Sequence, residues 1–329
     1  MTDRVVVITG GTAGVGRATA RAFAARGDAV AVLARGDAGL NETREEIEAA
    51  GVRCVALSVD VADAEAVMDA ARKIEAELGP IDVWVNNAMT AVLAPVIETT
   101  PAEFKRVTEV TYLGYVYGTL AALQSMRARD QGVIVQVGSA LSHRAIPLQA
   151  TYCAAKHAIR GFTDALRTEL LHDHSGIKVT MVQLPGLNTP QFDWVKTTLR
   201  RHPQPVPPVY QPEVAAGAIV FAADHPRREI YVGLPTPAVI WGGRLVPGLV
   251  DRYLARTNYE GQQTDRPISP DRPTNLWEPV PGAKGAHGDF DATAHDSSAQ
   301  FLLTRHRRSI RVGAAALAVL ASARLWRRH

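Results

Sequence analysis

Short apolar runs recur along the first 230 or so positions, separated by longer stretches in which apolar residues return every third or fourth place. The runs Arg4–Thr9, Ala29–Ala34, Arg53–Val59, Ile81–Asn86, Gly132–Gly138, Lys178–Gln183 and Glu229–Val232 predict strands. Several are nearly continuous in Val, Ile, Leu and Ala, as parallel strands buried on both faces must be. Between them, Val67, Ala70, Ala71, Ile74 and Leu78 keep a helical spacing behind a cap at Asp63, predicting an amphipathic helix. Thr100-Pro101-Ala102-Glu103 joins a capping box to a proline at the first helical position, so a second helix begins there. This alternation predicts an α/β fold built on one doubly wound parallel sheet of about seven strands with right-handed crossovers.

The pattern fades near residue 257. We expect an α/β domain over 1–256, a Pro/Gly-rich extended arm over 257–300 that lies on the body, and a basic tail over 301–329 with a short apolar helix. Trp277 is too large an apolar group for a purely solvated linker and is expected to dock. Composition adds exclusions. The chain has 329 residues, 47% of them hydrophobic, with 36 Lys+Arg against 33 Asp+Glu, which excludes wholesale disorder and a multi-span membrane protein. The net charge of +3 is an average of unlike parts: seven arginines and no acid in 301–329 leave the rest at −4. A mildly acidic body argues against nucleic acid as a partner. Two distant cysteines, Cys54 and Cys153, make neither a disulfide framework nor a zinc site, and no metal is expected. The N-terminus runs straight into a strand with no signal-peptide pattern, which points to the cytoplasm.

The first strand ends in Thr9-Gly10-Gly11-Thr12-Ala13-Gly14-Val15-Gly16, followed by a helical pattern. In that position Gly10 permits a sharp turn, Gly14 lets backbone approach a diphosphate, and Gly16 permits close helix–strand packing, making this a Rossmann-type dinucleotide site. The helix N-terminus offers N–H groups to the phosphates. At the end of the second strand Arg35 stands where an acid would bind the ribose of NAD. A guanidinium clamps a 2′-phosphate, so NADP is favoured, with NAD as the alternative. The competing reading makes Arg35 a solvated surface residue and gives the ribose to Asp37.

A third group of residues carries proton chemistry. Ser139 follows the fifth strand, and Tyr152 and Lys156 lie four apart on one helix face. A phenol with a pKa of about 10 is a poor catalyst at neutral pH. A nearby ammonium stabilises the phenolate and lowers that pKa, while a serine hydroxyl holds the substrate oxygen as charge develops.

The chain resembles the short-chain dehydrogenase/reductase family over about residues 4–235. The resemblance rests on Thr9-Gly10-x-x-x-Gly14-x-Gly16, Asp60-Val61, Asn86-Asn87-Ala88, Ser139, Tyr152-x-x-x-Lys156 and Pro185-Gly186-x-x-Thr189, in family order and spacing. The body also looks like a bacterial subgroup with a long C-terminal extension. The resemblance implies that Asp60 and Val61 meet the adenine and that Asn86, Asn87 and Ala88 line the coenzyme groove. It also implies that Lys156 holds the nicotinamide ribose and that Pro185, Gly186 and Thr189 border the nicotinamide. The implied activity is an oxidoreductase interconverting a carbonyl and an alcohol, in a chain expected to be a homo-oligomer; the alternative is a non-catalytic NAD(P)-binding regulatory or scaffold protein. Two positions depart from the family: Met89 stands where a glycine often follows Asn-Asn-Ala, a change expected to reshape the groove only slightly, and Thr111 stands where an asparagine commonly supports a proton relay. We take Thr111 to suffice there because the relay uses the backbone carbonyl.

The segment Leu184 to Pro212, with Phe192, Trp194, Pro203, Pro205, Pro207 and Pro208, reads as an apolar lid and favours a lipophilic small molecule, with core packing or an oligomer contact as the equal alternative for Phe192 and Trp194. His143 and Arg144 read as a solvated loop pair rather than substrate contacts. The run Val312–Ala323 is shorter than the about 20 residues a span needs. Its flanking arginines leave three readings: an anchor on an anionic membrane surface, a docked or disordered helix, or a span.

Overall fold

Strand β1 (Val5–Thr9) lies at the heart of a seven-stranded sheet, and every one of its residues is buried. The molecule is seen as a computed structural model that describes residues 4–269 and 271–307. The other strands are β2 (Ala29–Ala34), β3 (Cys54–Ser58), β4 (Ile81–Asn86), β5 (Val133–Ser139), β6 (Lys178–Leu184) and β7 (Glu229–Tyr231). They run in the order β7-β6-β5-β4-β1-β2-β3, and every pairing is parallel. The expected strands are all present, with ends moved by one residue at most. The shift that matters is at β5: its pairing with β6 runs on to Ser139 opposite Leu184, so Ser139 is the last residue of the strand and not the first beyond it.

Helices α1 (Gly14–Ala24), α2 (Asp37–Ala49), α3 (Ala64–Leu78), α4 (Pro101–Val107), α5 (Gly114–Arg127), α6 (Ala150–His172) and α7 (Pro212–Asp224) cover the two faces. The pleat of β1 shows why both faces must be apolar. Val6 and Ile8 enter one cluster with Phe23 of α1 and Ile219 of α7, while Val5 and Val7 enter the other with Ile74 of α3 and Ala121 of α5. The predicted caps form: Asp63 accepts the Ala66 N–H at 3.0 Å, and Thr100 and Glu103 make the reciprocal bonds of a capping box. Strand order reverses between β1 and β4, opening a crevice at the carboxyl ends of those strands.

Helices α8 (Pro235–Leu245) and α9 (Pro247–Gly261) follow the sheet, so α9 crosses position 257, where the sequence pattern fades. Beyond it, Gln263–Pro267 pairs antiparallel with Arg201–Pro203, and the chain then runs largely irregularly to α10 (Ala299–Arg305). This stretch is attached. Leu276 is fully buried against Val92, Ala94 and Val107, and Phe301 of α10 packs into the α7 face of the core. The apolar anchor is therefore Leu276 and not Trp277, which stays 50% exposed with Arg106 over its ring at 6.0 Å. The run Val312–Ala323 and the arginines from 308 onward lie outside the described residues. Among the described residues no helix is long and apolar enough to cross a membrane, and no group of three His, Cys, Asp or Glu could hold a metal.

Candidate active site

The turn from β1 into α1 is closed by its own backbone. Gly10 has φ +66°, and a Cβ there would stand 2.8 Å from the Ala88 Cα. A Cβ on Gly16 would meet the Gly10 carbonyl oxygen at 2.0 Å, so only glycine lets α1 start this close to the turn. Thr9 ties the turn to β4, its hydroxyl accepting the N–H groups of Asn87 at 2.9 Å and Ala88 at 3.0 Å. No side chain caps the first turn of α1. Apart from the Gly14 N–H, which a backbone carbonyl takes, a helix start facing a cavity fits an anion such as the diphosphate of a dinucleotide.

That cavity has a volume of about 520 Å³. Gly10, Thr12, Gly14 and Val15 line it from the glycine turn, Arg35 from the end of β2, Asp60 and Val61 from the end of β3, and Asn87 and Ala88 from the end of β4. Ser139, Tyr152, Lys156, Pro185, Gly186 and Thr189 line the same space. Four expected residues stand behind the wall instead: Thr9, Gly16, Asn86 and Thr111. Asn86 in particular is fully buried, its amide donating to Thr119 and Gln136 at 3.0 Å each and accepting the Trp84 indole N–H at 2.9 Å. Its polar groups are saturated within the sheet, so it supports Asn87 and does not face the groove.

Lys156 is fully buried, and its ammonium is engaged by groups other than the Tyr152 hydroxyl. Its ammonium donates to the Val137 carbonyl at 2.6 Å and the Tyr115 hydroxyl at 2.9 Å, lying 5.5 Å from the centre of the Tyr152 ring. Burial pushes the Lys156 pKa down to about 7. The Tyr152 phenol moves the other way. Burial raises it above its ordinary value, and a hydrogen bond with Ser139 offsets only part of that. The expected lowering by the ammonium is thus overturned in this state, because loss of solvent dominates and Lys156 is engaged elsewhere. The Ser139 hydroxyl accepts the Leu141 N–H at 3.1 Å.

Thr111 sits in a π-helical turn, Thr108–Leu113, between α4 and α5. Its hydroxyl donates to the Thr90 carbonyl at 2.7 Å and accepts the Thr90 N–H at 3.0 Å, pinning the chain after β4. The loop after Ser139 also differs from expectation. The His143 side chain is 2% exposed, with its Nε2 3.2 Å from Glu229, and Arg144 pairs with Asp251 of α9. The partly buried Glu229 carboxylate gives the imidazole a partner that solvent would otherwise supply.

The arm after residue 262 closes the groove. Arg35 donates to the carbonyls of Asn275 at 2.5 Å and Trp277 at 2.6 Å, and Arg106 donates to that of Leu276 at 3.0 Å. Arg106 also pairs with Asp60. Burial works to raise the Asp60 pKa, but the Ala62 N–H, Arg106 and Arg35 outweigh it and hold the carboxylate below its usual value. Farther along, the Gly285 carbonyl accepts the Gly14 N–H at 3.0 Å.

The family model of the short chain dehydrogenases matches residues 4–199. The chain belongs to that family. As a short-chain dehydrogenase it is an NAD(P)-dependent oxidoreductase. It is similar to an uncharacterised oxidoreductase, YxnA, of Bacillus subtilis (strain 168): 33% identical over 278 residues, covering 84% of this chain and 78% of the relative. It is also 32% identical to the dehydrogenase/reductase SDR family member 7B of Bos taurus, over 77% of this chain and 81% of that one. Among solved structures, the alcohol dehydrogenase of the archaeon Thermococcus sibiricus, complexed with 5-hydroxy-NADP, superposes with a TM-score of 0.59 at 26% identity. That match covers 70% of this chain and 95% of the other.

Two features of this short-chain dehydrogenase were not read from its sequence. Tyr115, whose hydroxyl meets Lys156, lies four residues after Thr111 and so shares its helix face, a spacing that could have drawn attention to it. Arg106 lies within α4 with nothing in its surroundings to announce a link to Asp60 and the arm.

Proposed function

We propose that this dehydrogenase prefers NADP and interconverts a carbonyl and an alcohol on a lipophilic small molecule, with Ser139, Tyr152 and Lys156 as its catalytic groups. The observation that carries the reading is that all three face one cavity with the glycine turn. Away from the turn that cavity is bordered by Leu141, Ile146, Phe192, Trp194 and Leu254, an apolar wall suited to hydrocarbon. When bound, the nicotinamide coenzyme supplies or accepts the hydride. The remaining work belongs to the protein. Burial keeps the Tyr152 phenol protonated at neutral pH, the form that gives a proton to a carbonyl oxygen during reduction. Ser139, whose oxygen already accepts from Leu141, keeps its own proton to donate to the same substrate oxygen. Lys156 holds the ribose side of the groove and orders the floor through Val137 and Tyr115.

Arg35 lines the cavity, whereas Asp37, the other partner proposed for the ribose, is exposed and not part of the lining. That difference supports NADP, as does the 5-hydroxy-NADP carried by the archaeal alcohol dehydrogenase. The test is turnover of NADPH and NADH against a panel of hydrophobic ketones and aldehydes alongside charged sugars. Faster consumption of NADPH with hydrophobic carbonyls is expected. Tight NADPH binding without turnover on any carbonyl would instead favour a coenzyme-binding scaffold.

A further inference from the structure

We propose that the C-terminal arm is a working wall of the coenzyme site and that Lys284, which it carries, pairs with the coenzyme's diphosphate. This rests on the coenzyme reading above and goes beyond it, because the matched family model ends at residue 199.

The arm crosses the groove between two built anchors. At the first, Leu276 is buried and the successive carbonyls of Asn275, Leu276 and Trp277 are taken by Arg35 and Arg106. At the second, Asp291 accepts from Asn188 at 2.8 Å and Gln211 at 2.9 Å, the Phe290 N–H donates to Asn188 at 3.0 Å, and the Phe290 ring meets Phe192 edge-on. Between them, Pro279, Val280, Gly282, Ala283 and Lys284 line the cavity. The bond from the Gly14 N–H to the Gly285 carbonyl fixes the arm on the glycine turn itself. Adjacent Cα atoms are about 3.8 Å apart, so the stem of Lys284 starts beside the first turn of α1.

Charge bookkeeping along the groove gives this lysine its role. The charged residues lining the cavity are Arg35, Asp60, Lys156 and Lys284. Arg35 follows β2 and Lys156 faces β5, three strand spacings or roughly 14 Å apart, with β1 and the glycine turn between them. The turn itself carries no charged side chain. The first cation of α1, Arg17, has a fully buried side chain paired with Glu42 at 2.8 Å and Glu46 at 2.7 Å, so it does not reach the groove. Among the described residues Lys284 is exposed and has neither a hydrogen bond nor an ion pair; its electrostatic neighbour is Asp193. A flexible ammonium at the start of a helix that is already favourable to anions is a phosphate ligand.

The diphosphate is common to NADPH and NADH, and this makes the assignment testable on the full chain. Dissociation constants for both coenzymes are measured by fluorescence titration for the parent, Lys284→Ala, Lys284→Arg and Arg35→Ala. We expect Lys284→Ala to weaken both coenzymes by about tenfold, leaving their ratio unchanged, and Lys284→Arg to restore most of the loss. Arg35→Ala should weaken NADPH selectively. Binding of both coenzymes to Lys284→Ala within twofold of the parent overturns the assignment, as does a loss confined to NADPH. If the parent binds neither coenzyme, the reading beneath fails and this assignment falls with it.

Discussion

Lys156 combines a stability problem with a proposed catalytic role. Its ordinary pKa of 10.5 falls to about 7 on burial, so from about pH 7 to 10.5 the unfolded chain holds a proton that the folded chain has released. In that window the unfolded state binds more protons, and stability rises with pH. Below it both states are charged, and the burden of burying the charge is complete and constant. Removing the ammonium orphans nothing, because the Val137 carbonyl still accepts the Tyr115 hydroxyl at 3.0 Å. Lys156→Met should therefore be more stable than the parent at pH 7, and its advantage should shrink by pH 9. Urea unfolding at the two pH values checks this, and an advantage that does not change with pH would refute it. Turnover should be lost in the same variant, as expected where function holds a residue that folding disfavours.

At the scale of elements, the turn between α4 and α5 gives the clearest case of one residue setting a local path. The Thr111 hydroxyl serves both the N–H and the carbonyl of Thr90, two buried groups with no other hydrogen bond among the described residues. Thr111→Val keeps the shape and removes both bonds. It should lower unfolding free energy by about 1–3 kcal/mol, while Thr111→Ser should retain most of it; equal stability of Thr111→Val and the parent would contradict this role. The strands were legible in the sequence because burial on both faces leaves little room for anything but continuous apolar runs, as in Val5–Ile8. The glycine turn, Ser139, Tyr152 and Lys156 were legible because side-chain identity carries their chemistry. The π-helical turn was not, since its hydrogen-bond pattern has no residue signature. The docking of the arm was equally hidden: carbonyls 275–277 make it, and a carbonyl is the same in every residue.

At the scale of the molecule, the sheet, the glycine turn and the arm enclose one space. The body, at −4 before residue 301, needs no general basic character to hold an anionic coenzyme, because Arg35, Lys156 and Lys284 are set along a single groove. We hold that this groove is a hydride-transfer site in which Tyr152 moves the proton. Tyr152→Phe tests it most directly, since the change removes one hydroxyl from a buried ring and leaves the groove's charges in place. On a hydrophobic carbonyl that the parent reduces, Tyr152→Phe should lose about a hundredfold or more in turnover. NADPH affinity should stay within a factor of about two. Turnover by Tyr152→Phe at the parent's rate, with the coenzyme equally bound, would contradict the claim.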